Sequence, residues 1–185
     1  MRQLRIAVFT HDAFGLGHVR RSTRILRAIA EREPNAALLL ITGSPATNLL
    51  RDLPANADTL KLPTVITSGG DGARPPTLNI GVAEISTLRG ELTRRTLELF
   101  EPDVFLVDNF PLGTRLELLP ALREVRHRPT RTALGLRDVV DPPEKVRRDW
   151  ASRGGHRLGR ARPGSSPCTR QTAARADARS TWSCA

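Results

Sequence analysis

The residues with the clearest chemical potential lie near the start of the chain, in the stretch Phe14-Gly15-Leu16-Gly17-His18-Val19-Arg20-Arg21. Two glycines let the backbone come close to a ligand. A helix opening at this point would present unpaired N–H groups and a partial positive charge, a setting for a phosphate or carboxylate. The stretch is not a dinucleotide fingerprint, because Arg20 stands where the third glycine belongs. It is not a Walker A loop either, because no Gly-Lys-Ser/Thr follows. Gly15 and Gly17 are therefore candidate substrate-binding positions. His18 adds a titratable group at the helix start, where a neutral imidazole is a candidate general base toward a hydroxyl nucleophile; the alternative is a local cap or packing role. His11-Asp12 comes just earlier in the same connection; it is a candidate to support His18, and His11 is also a candidate substrate-binding residue. Asp108 is a second catalytic candidate, set against a role as turn residue or helix N-cap. Ser44 and Asn109 are candidate substrate contacts. No metal site is expected, since His11 and His18 are seven positions apart and His127 and His156 are isolated. A serine hydrolase is unsupported, since no G-x-S-x-G elbow occurs.

Bringing these residues together requires a frame, and the apolar patterning supplies one. Residues 4–10 (LRIAVFT), 36–42 (AALLLIT), 59–62, 103–108 (DVFLVD) and 132–136 (TALGL) read as strands, the longer ones buried on both faces. Helices are expected over residues 18–33, with Val19, Ile25, Leu26, Ile29 and Ala30 set among arginines, and over 46–53, 82–100 and 112–125. In the second of these long helices Ile85, Leu88, Leu92 and Leu99 fall near one face. Pro142-Pro143 opens a last helix toward Trp150. Residues 64–79 carry Gly69-Gly70-Asp71-Gly72 and Pro75-Pro76 and read as a long loop, functional or mobile. Alternating strands and helices at this spacing imply right-handed βαβ units: an α/β, Rossmann-like three-layer domain with a parallel sheet over residues 1–150. Such a sheet puts its ligand site at the C-terminal strand ends, where the Thr10–His18 region, Gly43-Ser44-Pro45 and Asp108-Asn109 all fall.

The net charge of +10 over 185 residues is unevenly placed. Residues 1–150 hold 22 basic and 18 acidic side chains, whereas residues 151–185 hold seven arginines and one aspartate. Those last residues contain a single leucine and no isoleucine, valine or phenylalanine, too little apolar surface to offset the entropy of ordering them. They read as a basic, low-hydrophobicity, disordered tail, either natural or, as the abrupt change of composition favours, the product of a shifted reading frame. Cys168 and Cys184 both lie in this tail and form no disulfide framework. No apolar run is long enough to span a membrane, and residues 6–9 are too short for a signal-peptide core, so a cytoplasmic protein is expected. Specific nucleic-acid binding is disfavoured, because stacking residues are scarce: no tyrosine, five phenylalanines and two tryptophans.

Residues 9–27 (FTHDAFGLGHVRRSTRILR) resemble the first strand-to-helix turn of GT-B glycosyltransferases, and in particular predicted glycosyltransferases similar to glycosyltransferase family 28, whose hallmark is a G-x-G-H-type loop at this place. Glu101-Pro102-Asp103, the run from Asp108-Asn109 to Gly113, and Leu134-Gly135-Leu136-Arg137-Asp138 extend the likeness across residues 4–150. The resemblance implies the N-terminal, acceptor-binding half of a transferase that takes a nucleotide sugar as co-substrate and needs no metal or other cofactor. Gly15, Gly17 and His18 would form its acceptor loop, and Asp108 and Asn109 would line the cleft. Arg137 and Asp138 would form a loop ion pair or an interdomain contact. The implied partners are a sugar or lipid-linked acceptor, which leaves room for peripheral membrane contact. The donor-binding half that such enzymes require is not recognisable in this sequence, so the chain is expected to be truncated and inactive alone. Half of a GT-B sugar epimerase and a standalone binding module for an anionic small molecule are the alternatives.

Overall fold

The computed structural model describes residues 2–10, 17–46, 53–68, 72–136, 142–144 and 147. Three elements open the chain: β1 (Arg5–Thr10), α1 (Gly17–Arg32) and β2 (Ala37–Thr42). They are followed by β3 (Ala57–Lys61), a hairpin of β4 (Ile66–Ser68) and β5 (Gly72–Arg74), and α2 (Val82–Phe100). The remaining elements are β6 (Val104–Asp108), α3 (Leu119–Val125) and β7 (Arg131–Gly135). Five strands form one parallel sheet in the order β3-β2-β1-β6-β7. This is the Rossmann-like α/β arrangement expected from the alternation of strand and helix.

Strand alternation divides the core between the two faces of the sheet. Ile6 and Val8 of β1 pack with Leu38, Leu40 and Leu26 on the α1 side. Ala7 and Phe9 pack with Phe105, Val107 and Leu97 on the side of α2 and α3. The chain moves outward from β1 through β2 to β3, then returns through α2 to place β6 on the other side of β1. The strand order thus reverses between β1 and β6, and the crevice at their C-terminal ends is where this topology accommodates ligands.

Three local expectations need correction. Residues 64–79 are not wholly loop, because Ile66–Ser68 pairs antiparallel with Gly72–Arg74. The β-branched run before the glycines is a strand–turn–strand signal of its own. The helix expected over 112–125 begins only at Leu119. Ahead of it Gly113, Arg115 and Leu116 are all left-handed (φ 67°, 55° and 65°), so the chain turns before it can helix. In α2 the buried ridge is Ile85, Arg89, Thr93 and Leu97, at helical i,i+4 spacing, while Leu88, Leu92 and Leu99 stay 40%, 38% and 66% exposed. A buried arginine occupies the row that leucines were expected to fill. The α2 helix ends at Glu101, a left-handed cap (φ 48°) whose N–H bonds the Leu97 carbonyl, and Pro102 follows.

Candidate functional site at the strand switch point

The C-terminal edge of the sheet carries a row of residues set side by side by strand register: Lys61 beside Thr42, Thr42 beside Thr10, and Asp108 beside Gly135. Thr10 and Asp108 each lie one residue beyond the last paired residues of β1 and β6, Phe9 and Val107. Alternation from Leu38, Leu40, Val104 and Leu106 places Thr42 and Asp108 on the α1 side of the sheet. There α1 presents His18 and Arg21, three residues apart and so on one face of the helix.

These three side chains meet. The His18 ring donates its Nδ1–H to Asp108 Oδ2 at 2.6 Å. Arg21 Nη1 lies 3.2 Å from Asp108 Oδ1, an ion-pair contact without an N–H aimed along it. A second Arg21 nitrogen donates to the Leu136 carbonyl at 2.8 Å, just past the end of β7. Asp108 is 4% exposed at its side chain, so its charge has to be paired, and Arg21 and His18 supply the pairing. His18 is 16% exposed and Arg21 31% exposed, so the constellation opens outward through these two side chains.

The carboxylate fixes the imidazole. In the neutral ring, the proton held on Nδ1 by Asp108 would leave the lone pair on Nε2, the form required of a general base. The carboxylate also stabilises the imidazolium that forms once a proton is taken, as in a hydrolase triad. Asp108 is neither a helix cap nor a simple turn residue. The turn is made by the next residue: Asn109 is left-handed (φ 63°), with its N–H bonded to the Gly135 carbonyl at 2.8 Å. This clasp joins the end of β6 to the end of β7.

Two contributors were not singled out by sequence reading. Arg21 closed the glycine–histidine stretch but was given no role of its own there. Gly135 was given no role of its own, yet an added Cβ would lie 2.9 Å from the Arg21 guanidinium and 3.7 Å from Asp108 Oδ1. A glycine inside a strand often marks close approach by another group, and that was the available signal.

The other expected site residues separate into two groups. Ser44 is 2% exposed, and its hydroxyl accepts the Ala46 N–H at 3.2 Å while its own N–H donates to Thr42 Oγ1 at 3.1 Å. It braces the turn after β2, with its side chain buried. Gly17 opens α1, and an added Cβ there would meet nothing within 4 Å. His11, Asp12 and Gly15 lie outside the described residues, as do Arg137, Asp138, the expected helix over 46–53 except its ends, most of that from Pro142 to Trp150, and the tail. Among the described residues no cluster of three or more metal-ligating side chains occurs, and no helix is long and apolar enough to cross a membrane. No protein-family model and no curated protein matches the chain.

Proposed function

We propose that this domain is the acceptor-binding half of a nucleotide-sugar-dependent glycosyltransferase, in which His18 takes the proton from an acceptor hydroxyl. The observation that carries the reading is the 2.6 Å His18–Asp108 contact at the point where strand order reverses. The G-x-G-H pattern supports the same reading, as does the Rossmann-like sheet that presents it. In this mechanism the acceptor hydroxyl lies against Nε2, Asp108 holds the ring in its tautomer, and Arg21 fixes Asp108 against the end of β7. Proton removal by a positioned imidazole contributes about 10²–10⁴-fold to such a transfer. The donor and the groups that stabilise its leaving diphosphate belong to a second lobe in this scheme.

The test is binding of the fluorescently labelled chain to an array of immobilised sugars and glycolipids, with His18→Ala and Asp108→Ala in parallel. Saturable binding to a defined sugar, weakened about tenfold or more by either substitution, is expected. The purified chain mixed with nucleotide sugars and that acceptor should show no transfer. Binding that ignores both substitutions, or turnover by the chain alone, would refute the assignment.

A further inference from the structure

On the opposite face of the sheet, a groove of about 300 Å³ runs between the first turns of α2 and the turn that follows β6. Its size suits a small molecule. Its construction is unusual in two respects. The floor is formed where Gly90 of α2 lies against the Glu117 backbone, so close that an added Cβ would sit 2.7 Å from the Glu117 carbonyl oxygen. The rim is formed by Arg115 and Leu116, consecutive non-glycine residues in the left-handed region. Such residues are strained and persist only where the surroundings hold them, commonly at binding sites.

The holding device is visible. Arg89 is fully buried, and its Nε donates to Glu117 Oε2 at 2.5 Å, its Nη2 to Glu117 Oε1 at 3.2 Å and its Nη1 to the Pro63 carbonyl at 2.6 Å. This clamp draws Glu117 inward and forces the preceding residues to turn outward. Arg115 is thereby left exposed at the groove, with no acidic partner among the described residues. Ser86 and Thr87, which also line the groove, already donate their hydroxyl protons to the Val82 and Ala83 carbonyls at 2.8 and 3.0 Å, so what their oxygens can still offer a ligand is an acceptor. Glu91 also borders the groove, but Arg94 pairs with it at 2.8 Å.

One cation and two hydroxyl acceptors lining one groove match a molecule that carries an oxyanion at one end and hydroxyl groups at the other. We infer that this groove binds a small hydroxylated oxyanion, a sugar phosphate or hydroxy acid, with Arg115 holding the anion and Ser86 and Thr87 accepting from its hydroxyls. The inference is independent of the His18 assignment, which concerns the other face of the sheet.

The test titrates the full chain with glucose 6-phosphate, inorganic phosphate and glucose separately, reading backbone amide shifts by NMR. Glucose 6-phosphate should shift the amides of Ser86, Thr87, Gly90 and residues 115–117 saturably. Inorganic phosphate should bind the same amides about tenfold more weakly, and glucose more weakly still. Arg115→Gln should abolish the effect and Thr87→Val should weaken it, while His18→Ala leaves it intact. Shifts confined to α1 or to the arginine-rich C-terminal residues would overturn the inference. So would binding unchanged in Arg115→Gln, or no saturation with any of the three compounds.

Discussion

Asp108 and Glu117 are both buried acids paired with an arginine, nine positions apart and on opposite faces of one sheet. Their surroundings differ in a way that separates architecture from chemistry. At Glu117 the partner is as buried as the acid, both carboxylate oxygens are met, and a third guanidinium nitrogen reaches a backbone carbonyl. Such a unit is closed, and its consequence is the path of the chain. At Asp108 the acid is buried, but its partners His18 and Arg21 are only partly buried, and one of them is titratable. The same pairing rule is obeyed twice. Only the second arrangement includes a titratable ring at the sheet edge where this topology takes ligands. Burial of the acid alone therefore does not distinguish the two; what differs is how far its partners reach toward solvent.

The largest expected effect tests the closed unit. Glu117→Ala leaves the Arg89 guanidinium buried without its carboxylate, and breaking a buried pair in this way costs about 3–5 kcal/mol. Urea denaturation should show this loss, and the double substitution Arg89→Met with Glu117→Met should be less destabilised than Glu117→Ala. A single variant within 1 kcal/mol of the parent, on the scale of about 0–1 kcal/mol for surface pairs, would place this pair in the surface class. Asp108→Ala tests the open unit and should act more on the imidazole than on the fold. In the parent chain ¹⁵N NMR of neutral His18 should show the proton on Nδ1; in the variant the proton should move to Nε2. Stability should fall by about 1.5–3 kcal/mol, the scale of a hydrogen bond to a charged group. An unchanged tautomer would remove Asp108 from its positioning role.

Legibility in the sequence follows the same division. The parallel sheet could be read because buried parallel strands are continuous apolar runs, and residues 4–10, 36–42 and 103–108 are such runs. His18 and Asp108 could be read as separate candidates because each follows a strand, where ligands sit. Their contact, across 90 positions, depends on β6 returning beside β1, and local patterning does not encode that crossover. Arg21 was hidden among the other arginines of α1, and only the glycine opposite it in β7 marked its place. The α2 helix misled for a related reason. Its sheet-facing row includes Arg89, which is tolerable there only because Glu117 meets it from 28 positions away. A periodicity argument that assigns charge to solvent must choose Leu88 and Leu92 for the core instead. The left-handed turn at Arg115 and Leu116 is set by that same distant clamp, so neither residue type announces it.

A smaller effect separates protein from ligand at the open site. Since nothing in the described structure opposes a methyl group at Gly17, Gly17→Ala should be neutral or should stabilise the chain by about 0.4–1 kcal/mol through the unfolded state. If an acceptor comes close to this backbone, the same variant should nonetheless lose sugar binding on the array. Stability raised with binding intact would show that the glycine serves only the turn.

The smallest effect lies on the solvent face of α2, and it shows how little an exposed network contributes beside either buried unit. Glu98 accepts from Arg95 at 2.7 Å and from Arg94 at 3.1 Å. The hydrogen bond from Arg95 is the main cause holding its carboxyl below the ordinary range, with the charges of Arg95 and Arg94 adding to it. A carboxyl depressed in the folded state contributes stability above its unfolded pKa and loses it as pH falls through its folded value. Glu98→Gln should therefore lower the urea midpoint slightly near neutral pH, and the two curves should converge by about pH 3, below the usual carboxylate range. Raising salt to about 1 M, where the screening length falls to about 3 Å, should shrink the neutral-pH difference further. A difference that persists in acid would show that Glu98 acts through packing of its stem instead of its charge.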